Sequence, residues 1–586
     1  MRWIGLLFLV LVAQRGFAGG PVNDFWEMRT PIPVASLNAG FSDSITDVAS
    51  ATTTGTDPLL VCKNGDPQQR GNTLWYALDL SAEQQPVFAN IGADGYDNII
   101  SIFTGNPTNG FSPVVGGCND DGGTSFSARL DGVRLDPGQN YSIVVSRPSQ
   151  NSNVATLGFL IRLSPRYQVT KTDDTLDGSC NAVCSLREAI SAPNAQAGAV
   201  LIPSGTYTLT LSAASGENNN ATGDLDVRTG MGIHGAGAGQ TVIRGIQPGG
   251  GTRERVFDVE PANGAALGIT ANFSDLTIRD GSSTSRGGGI NADGNAVGDH
   301  LALNRLEVRS NASTINTGGG VHSSGPTVVA NSTIADNTAS SDGGGLALNG
   351  TVITRTDIFN STFSGNTSNS DFAAGGGGIR STTDLYVYNS TFSGNQARHS
   401  GGGILSTTAN GKLTLLNVTF AGNVTDSNDN GGALGGGVRA EGLSALVRNV
   451  VFSGNTNNAG AASASIADDC QANATVTGSG NTSFLGNHLE VLAANTSCPT
   501  ADASNVHGVP ANLEPLALNG GTTSNHRPAP GSPVVDSGLV ADCLGRDQRG
   551  VLRPQDGNND TVAVCDKGAV ELAPTDVVDL FQNGFE

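Results

Sequence analysis

The side chains best suited to chemistry follow runs of glycine in the middle of the chain. His322 follows the run Gly318–Gly320, and Arg380 follows the run Gly376–Gly378. A histidine and an arginine on one face are groups that can take up a proton and balance negative charge during catalysis. The pattern predicts no complete catalytic set, and His322 with Arg380 is the pair that comes closest to one.

Acids follow the same runs at only two places. Asp293 and Glu441 each take the second outward position after a glycine run. If each run marks one coil of a stacked repeat, these acids are about five coils, or about 24 Å, apart. Calcium needs several oxygen ligands around one ion, and inverting glycoside hydrolysis needs two carboxyls within about 10 Å. We therefore expect neither site on this face, although the loop acids Asp371, Asp426 and Asp429 are a further source of carboxylates.

A possible cation loop lies near the C-terminus. Asp556, Asn558 and Asp560 alternate as at the start of a calcium-binding loop. The later glycine and glutamate of such a loop are missing. A polar turn is the favoured interpretation, and Ca²⁺ is the one cofactor that the sequence leaves open.

The glycine runs belong to a repeat that must position all of these side chains. Three glycines and an aliphatic residue occur six times, at Gly287–Ile290, Gly318–Val321, Gly343–Leu346, Gly376–Ile379, Gly401–Ile404 and Gly435–Val438. A second phrase closes in asparagine five times, at Asn337, Asn366, Asn395, Asn423 and Asn455. These asparagines are 29, 29, 28 and 32 residues apart. Such a period indicates a repeat architecture in which each unit packs only against its neighbours.

Each repeat unit is predicted to form strands, because Thr, Val, Ser and Asn dominate it and helical periodicity is absent. One unit then makes one coil of a parallel β-helix, with equivalent residues stacked. The closing asparagines should form a hydrogen-bonded ladder at a turn, where they tolerate left-handed backbone. Tyr386 and Tyr388 lie on another face, where they either stack on sugar rings or simply favour a strand. A second ladder, apolar and inward, is predicted for Ile334, Phe363, Phe392, Phe420 and Phe452.

These paired phrases resemble the repeats of polymorphic outer-membrane proteins and of the pectate-lyase-like superfamily. The resemblance implies a right-handed parallel β-helix, which we place at residues 168–510. Polysaccharide lyases, hydrolases and non-catalytic adhesins share that fold, so the fold alone does not give the function.

The flanking regions have different patterns. Residues 25–165 carry short alternating runs separated by turns, which predict an antiparallel β-sandwich, and they resemble the pre-peptidase C-terminal domain. Cys184–Ile190 reads Cys-Ser-Leu-Arg-Glu-Ala-Ile and resembles the CSLREA motif of secreted β-helix proteins. We expect a short helix there, started by Ser185, that caps the solenoid. Residues 511–573, with Ser532–Gly538, Asp547–Pro554 and Cys565–Glu571, resemble the choice-of-anchor Q domain, and residues 574–586 form a tail.

Composition and cysteines point to an exported protein. Residues 1–18 pair an arginine with a short apolar run and small residues, as in a signal peptide. The net charge of -21 disfavours nucleic acid as a partner, and no later stretch is apolar and long enough to span a bilayer. Eight cysteines suggest four disulfides, and proximity favours the pairs Cys62–Cys118, Cys180–Cys184, Cys470–Cys498 and Cys543–Cys565.

The predicted fold is therefore all-β, with a right-handed parallel β-helix preceded by a small antiparallel β-sandwich. The predicted function is that of a secreted or cell-surface β-helix protein, a non-catalytic adhesin or glycan-binding scaffold with an extracellular polysaccharide as partner. The alternative is a polysaccharide lyase or glycoside hydrolase on the same fold.

Overall fold

The computed structural model describes most of the chain. Residues 1–18, Asp429 and the end of the tail lie outside the described residues. The described residues are 20–58, 60, 62, 71–120, 127–148, 156–194, 196–212, 217–245, 254–259, 268–293, 300–350, 354–371, 375–407, 411–428, 434–441, 444–458, 466–472, 483–490, 498, 502–574 and 576.

The N-terminal region is a β-sandwich of two sheets, as predicted. Alternating apolar residues of both sheets fill one core between them. Thr30–Ile32 departs from the antiparallel pattern, because it pairs in parallel with Gly71–Asp79. The first sheet contains Thr30–Ile32, Gly71–Asp79, Asn140–Arg147, Ile99–Asn106 and Gly110–Asp120. The second contains Phe41–Ile45, Leu157–Leu163, Val87–Asp94 and Arg129–Leu135. Short 3₁₀ helices lie at Trp26–Met28, Val34–Asn38, Val48–Ser50 and, near the C-terminus, Val540–Asp542.

The middle of the chain is a parallel β-solenoid, which confirms the predicted fold class. Most coils contribute one strand to each of three long sheets and a two-residue strand to a fourth, whereas coils at the ends lack some of these strands. Sheet 1 contains Arg166–Gln168, Gly198–Leu201, Met231–His234, Thr270–Ser274, His300–Asn304, Thr327–Ala330, Arg355–Phe359, Asp384–Tyr388, Lys412–Leu416, Ser444–Arg448 and Ser483–Leu485. Sheet 2 contains Gly205–Thr208, Thr241–Arg244, Thr277–Arg279, Glu307–Arg309, Thr333–Ala335, Thr362–Ser364, Thr391–Ser393, Thr419–Ala421, Val451–Ser453, His488–Leu489 and Val506–His507.

The remaining two sheets complete the coil. Sheet 3 contains Leu225–Val227, Phe257–Val259, Ile290–Ala292, Val321–Ser323, Leu346–Leu348, Ile379–Ser381, Ile404–Ser406, Val438–Ala440 and Cys470–Ala472. Sheet 4 contains Ser282–Ser283, Ala312–Ser313, Thr338–Ala339, Thr367–Ser368, Gln396–Ala397, Val424–Thr425, Thr456–Asn457 and Ile466–Ala467. The glycine runs lie between sheets 4 and 3. There a Cβ on Gly344 would lie 2.5 Å from the carbonyl oxygen of Gly377 in the next coil, so only glycine fits.

Both predicted ladders are present. Phe392 stacks between Phe363 and Phe420, with ring centroids 4.9 Å apart on each side. Asn395 Nδ2 donates to Asn423 Oδ1 at 2.9 Å and to the carbonyl oxygen of Phe363 at 2.9 Å. We had expected left-handed backbone at these closing asparagines, but the structure does not place it there. It lies at the first asparagine of each phrase and at the residue before the closing one, such as Asn389 and Gly394.

A short helix, α1 (Leu186–Ser191), lies in the first coil of the solenoid, between the first two strands of sheet 1, where the sequence predicted a helix. The Ser185 hydroxyl accepts a hydrogen bond from Glu188 N, and the Glu188 carboxylate accepts one from Ser185 N, which makes a capping box. The Arg187 side chain is fully buried and pairs with Asp174 at 2.7 Å. It also donates to the carbonyl oxygens of Gly223 and Asp224. Arg187 therefore holds the first coil together.

All eight cysteines are paired, in the four predicted pairs. No helix within the described residues is long and apolar enough to cross a membrane.

The C-terminal region folds back along the outside of sheet 2. Gln548 is buried and donates to the hydroxyls of Thr362 and Thr523, while its side-chain oxygen accepts from Thr391. Ala569 N donates to the hydroxyl of Thr419 in the same sheet. The outward threonine column of sheet 2 is thus the surface on which this region packs.

Candidate functional site

A large cleft lies where three parts of the chain meet. It has a volume of about 820 Å³. One wall is the sandwich hairpin from Asn109 to Cys118, the floor is the outer face of sheet 1, and the third side is Leu544–Arg546 with Leu552. Each part is remote in sequence, so only the folded chain creates this cleft.

Its floor follows one register column at the ends of the sheet 1 strands. Parallel pairing aligns these residues one above another. We call them the strand-end column: Leu201, His234, Ser274, Asn304, Ala330, Phe359 and Tyr388. Ala330, Phe359 and Tyr388 line the cleft.

Phe359 and Tyr388 give the cleft an aromatic floor. Their ring centroids are 5.1 Å apart with planes 11° apart, and both side chains are half-buried. Each ring uses one face against the other. Phe359 lies next to the small Ala330 in the register, so space remains beside its second face. Of the two tyrosines that the sequence analysis named, Tyr388 lines the cleft. Tyr386 is two residues earlier on the same strand and is buried.

A buried ion pair supports this floor from the neighbouring columns. Arg355 Nε lies 2.6 Å from Asp357 Oδ2, and its NH2 lies 2.7 Å from Asp357 Oδ1. The guanidinium also lies 3.8 Å from the ring centroid of Tyr386. Burial is the largest influence on Arg355 and acts against its charge, but the carboxylate of Asp357 outweighs it and raises the pKa of Arg355. For Tyr388, burial itself raises the pKa of the hydroxyl. Arg355 lines the cleft as a fixed cation whose charge is balanced by Asp357.

A second row of amides borders the cleft. Asn360 Nδ2 donates to Asn331 Oδ1 at 3.3 Å, and Asn331 Nδ2 donates to Asn304 Oδ1 at 3.2 Å. Asn389 Nδ2 donates at 2.8 Å to the carbonyl oxygen of Arg546, which joins the C-terminal region to the floor. Asn389 Oδ1 is buried without a hydrogen-bond partner among the described residues. This oxygen is an unpaired acceptor that is shielded from solvent at the edge of the cleft.

The predicted catalytic pair lies on a different face, in sheet 3. His322 and Arg380 share one register column with Ala347 between them, about 10 Å apart. His322 is fully buried, its Nδ1 lies 3.1 Å from Asn291 Oδ1, and burial lowers its pKa to about 4. Arg380 reaches Asp342 at 3.6 Å and donates to Asn349. The two residues share a column, as expected, but neither lines the cleft.

The sheet 3 column that contains His322 begins two coils before the first glycine run. Its first two residues are acids that the sequence analysis missed. Asp226 and Asp258 are register partners on adjacent strands, and Asn291 follows them. Arg255 NH1 lies 2.6 Å from Asp258 Oδ2, and its Nε lies 3.7 Å from Asp224 Oδ2. The expectation that adjacent coils of this face carry no acids therefore holds only for the coils after the glycine runs.

Burial controls the charge of these acids. Burial, together with the charge of Asp258, raises the pKa of Asp224 to about 8. Burial also raises the pKa of Asp226 to about 7. The pattern that could have found them is the apolar–Asp–Val triplet at Leu225–Val227 and Phe257–Val259, which resembles the later strands but lacks the preceding glycines.

The predicted cation loop is an exposed polar turn. Asp556 Oδ1 accepts from Asp560 N at 3.0 Å, and Asn558 Oδ1 accepts from the same amide at 2.9 Å. Asp560 Oδ1 accepts from Val562 N. Within the described part of the chain, no three His, Cys, Asp or Glu side chains are grouped so as to hold a metal ion.

No protein-family model and no curated protein matches this chain. Among solved structures it is similar to the pectate lyase Pel9A, with 14% identity, 70% of this chain and 97% of that chain covered, and a TM-score of 0.34. The A-module of the Azotobacter vinelandii mannuronan C-5 epimerase AlgE6 has 16% identity, 58% and 99% coverage and a TM-score of 0.25. The catalytic domain of a GH87 α-1,3-glucanase in complex with nigerose has 12% identity, 77% and 98% coverage and a TM-score of 0.20. At these scores the likeness does not indicate what this chain binds.

Proposed function

We propose that this protein is an exported, non-catalytic β-helix protein that binds a polysaccharide in the three-part cleft, as an adhesin or scaffold. The observation that carries the proposal is the make-up of the cleft: an aromatic floor beside fixed guanidinium and amide groups. Its volume of about 820 Å³ lies in the range of sites that bind small molecules or parts of larger ones.

The lining matches the two kinds of surface on a sugar. The C–H face of a pyranose packs on an aromatic ring, and its hydroxyls need donors and acceptors at the rim. Phe359 and Tyr388 supply the rings, and Arg355 and Arg546 supply donors. Among the described lining residues there is no carboxylate, so the cleft offers binding groups rather than a general acid and base.

Features outside the cleft support an extracellular location. Four disulfides are typical of oxidising compartments. The leader-like N-terminus, the CSLREA-like cap and the choice-of-anchor Q-like region resemble parts of secreted and surface bacterial proteins.

A binding screen tests the proposal. The purified chain is applied to immobilised neutral and acidic polysaccharides, with and without calcium, and soluble products are analysed in parallel. We expect retention on at least one polysaccharide and no cleavage. Leu552→Ala, which removes an exposed leucine of the cleft, should weaken retention. Leu518→Ala, which removes another exposed leucine of the same region outside the cleft, should not.

Polysaccharide cleavage is the second candidate function, and the acids of sheet 3 favour it. Asp226 and Asp258 lie on adjacent strands. Burial raises the pKa of Asp226 to about 7, whereas Asp258 forms an ion pair with Arg255. Two carboxyls in such different surroundings could serve as an acid and a base. Cleavage of any polysaccharide that persists in Leu552→Ala and is lost in both Asp226→Asn and Asp258→Asn would establish this function instead.

A further inference from the structure

The inner part of the cleft is lined by apolar side chains from all three of its sides. On the floor, Val328 and Ala330 lie on the outer face of sheet 1, on either side of the core residue Val329. The sandwich hairpin and the C-terminal region add the other apolar groups, which are Phe111, Pro113, Val114, Val115, Leu544 and Leu552. A ligand group that enters the cleft therefore meets hydrocarbon on three sides.

The junction of sandwich and solenoid bounds the cleft on one side. A Cβ atom on Gly116 of the hairpin would lie 3.3 Å from the Cβ atom of Ala302, so hairpin and sheet are already in contact there. Beside this contact, Arg134 of the sandwich lies 2.9 Å from Asp275 of the solenoid. The cleft is therefore shaped to receive a substituent of a sugar chain rather than to pass the chain between the two domains.

Most polar side chains inside the cleft already have partners in the protein. Arg355 donates two hydrogen bonds to Asp357. Asn331 donates to Asn304 and accepts from Asn360. A ligand hydroxyl could use these atoms only by competing with bonds that the folded chain has already made.

The polar side chains with free capacity lie at the rim. Asn109, Ser112 and Arg546 line the cleft and are exposed. A sugar bound here can keep its hydroxyls at this rim and turn a part without hydroxyls inward. A hydroxyl buried without a partner loses the hydrogen bonds that it made with water, whereas a buried methyl group is stabilised by leaving water.

We infer that the cleft selects polysaccharides whose sugars carry methyl groups, as 6-deoxyhexoses and O-acetylated sugars do. The C–H face of the sugar packs on Phe359, and the methyl group fills the space over Val328 and Ala330. The inference rests on the proposed function and adds the substituent that the cleft recognises.

Two matched pairs of ligands test it. The first is methyl α-L-rhamnoside beside methyl α-L-mannoside, which differ only in the hydroxyl group at C6. The second is an O-acetylated xylan beside the same xylan after mild alkaline deacetylation. Ligand-observed NMR gives Kd for the glycosides, and affinity electrophoresis gives it for the xylans. In at least one pair we expect the methyl-bearing ligand to bind about tenfold more tightly, as one such group does in a hydrophobic pocket.

One variant and its control locate the effect. Val328→Thr replaces a methyl group of the cleft floor with a hydroxyl group, so it should reduce the preference for the methyl-bearing ligand by about threefold or more. Val242→Thr makes the same change at a half-buried position of sheet 2 outside the cleft lining, and it should keep the wild-type preference. Because the preference is a ratio of two Kd values in one protein, a general loss of stability does not imitate the effect.

The outcomes separate the inference from the proposed function. Equal or tighter binding of the hydroxyl-bearing ligand in both pairs, or an unchanged preference in Val328→Thr, overturns the inference and leaves the proposed function standing. A preference in one pair supports the inference and identifies the deoxy or the acetyl group as its source. If neither pair binds and no polysaccharide is retained in the screen, the proposed function fails and the inference fails with it.

Discussion

Arg355 and Asp357 project from the same strand to the same side and form a two-bond ion pair at 2.6 and 2.7 Å, with both side chains buried beneath the cleft floor. Replacing Asp357 alone with asparagine leaves a buried guanidinium whose charge is not balanced. We expect a loss of about 3–5 kcal/mol in the free energy of unfolding.

The double variant Arg355→Met/Asp357→Leu is its control. Because both charges leave together, we expect it to be within about 2 kcal/mol of the wild type in chemical denaturation. A single Asp357→Asn variant as stable as the double one would show that the pair is not buried as described.

The phenylalanine ladder predicts a position-dependent loss of stability. Phe392 is fully enclosed between Phe363 and Phe420, so Phe392→Ala should cost about 3–5 kcal/mol through lost burial and a cavity. Phe359→Ala is the matched change at a half-buried ring and should cost clearly less. Thermal unfolding of the two variants, compared with wild type, decides this, and equal losses would contradict the ladder.

The asparagine ladder predicts that Asn395→Ala is more damaging than its size suggests. Its side chain accepts from Asn366 and donates to Asn423 and to the Phe363 carbonyl, all of them buried. Several buried groups would lose partners at about 1–3 kcal/mol each. Asn109→Ala at the exposed hairpin is the control. Hydrogen exchange should show faster amide exchange on both neighbouring coils in Asn395→Ala only.

Because Lys567 is buried, we expect the free energy of unfolding to increase with pH. Burial lowers its pKa from 10.5 to about 8, and no ion pair accompanies it among the described residues. Between these values the unfolded chain holds a proton that the folded chain has lost, so stability increases as pH rises from about 8 to 10.5. The total is ~3 kcal/mol. Lys567→Met should be more stable than wild type at pH 7 and should lack this rise; a parallel pH dependence in both proteins would refute it.

The contact between sandwich and solenoid is tight at Gly232. A Cβ there would overlap the carbonyl oxygen of Gly132 in the sandwich. Gly232→Ala should therefore push the sandwich away from sheet 1 while leaving the coils intact. Gly92→Ala, in a sandwich strand with open space around the site, is the control. We expect faster proteolysis between sandwich and solenoid and weaker polysaccharide binding in Gly232→Ala alone.

The repeat made much of the solenoid predictable, because stacking converts a period directly into contacts. Phe392 and Asn395 were assigned to the core and to a turn ladder from their spacing alone. Ser185 was recognised as a helix cap for a similar reason, since capping is a local interaction. The pairs such as Cys62–Cys118 followed from proximity in the sequence.

The cleft was not predictable in the same way. Phe111, Arg355 and Arg546 meet in it although they lie more than 150 residues apart, and no period or motif links them. Tyr388 was noticed, but its neighbours were not. Asp226 and Asp258 were missed because the column was counted from the glycine runs, whereas the solenoid begins earlier with strands that lack them.

The hydrogen bonds of Gln548 to Thr362 and Thr391 have a consequence for how the molecule is made. The middle coils are synthesised long before residue 548 leaves the ribosome. Until then, the outward hydroxyls of Thr362 and Thr391 lack the hydrogen bonds that Gln548 later makes with them. Folding of a long chain proceeds largely in the order of synthesis. The coils can stack as they emerge, but the cleft is complete only once Leu544–Arg546 and Leu552 have packed beside sheet 1. A chain that ends before them would be a folded solenoid that lacks the third side of its cleft.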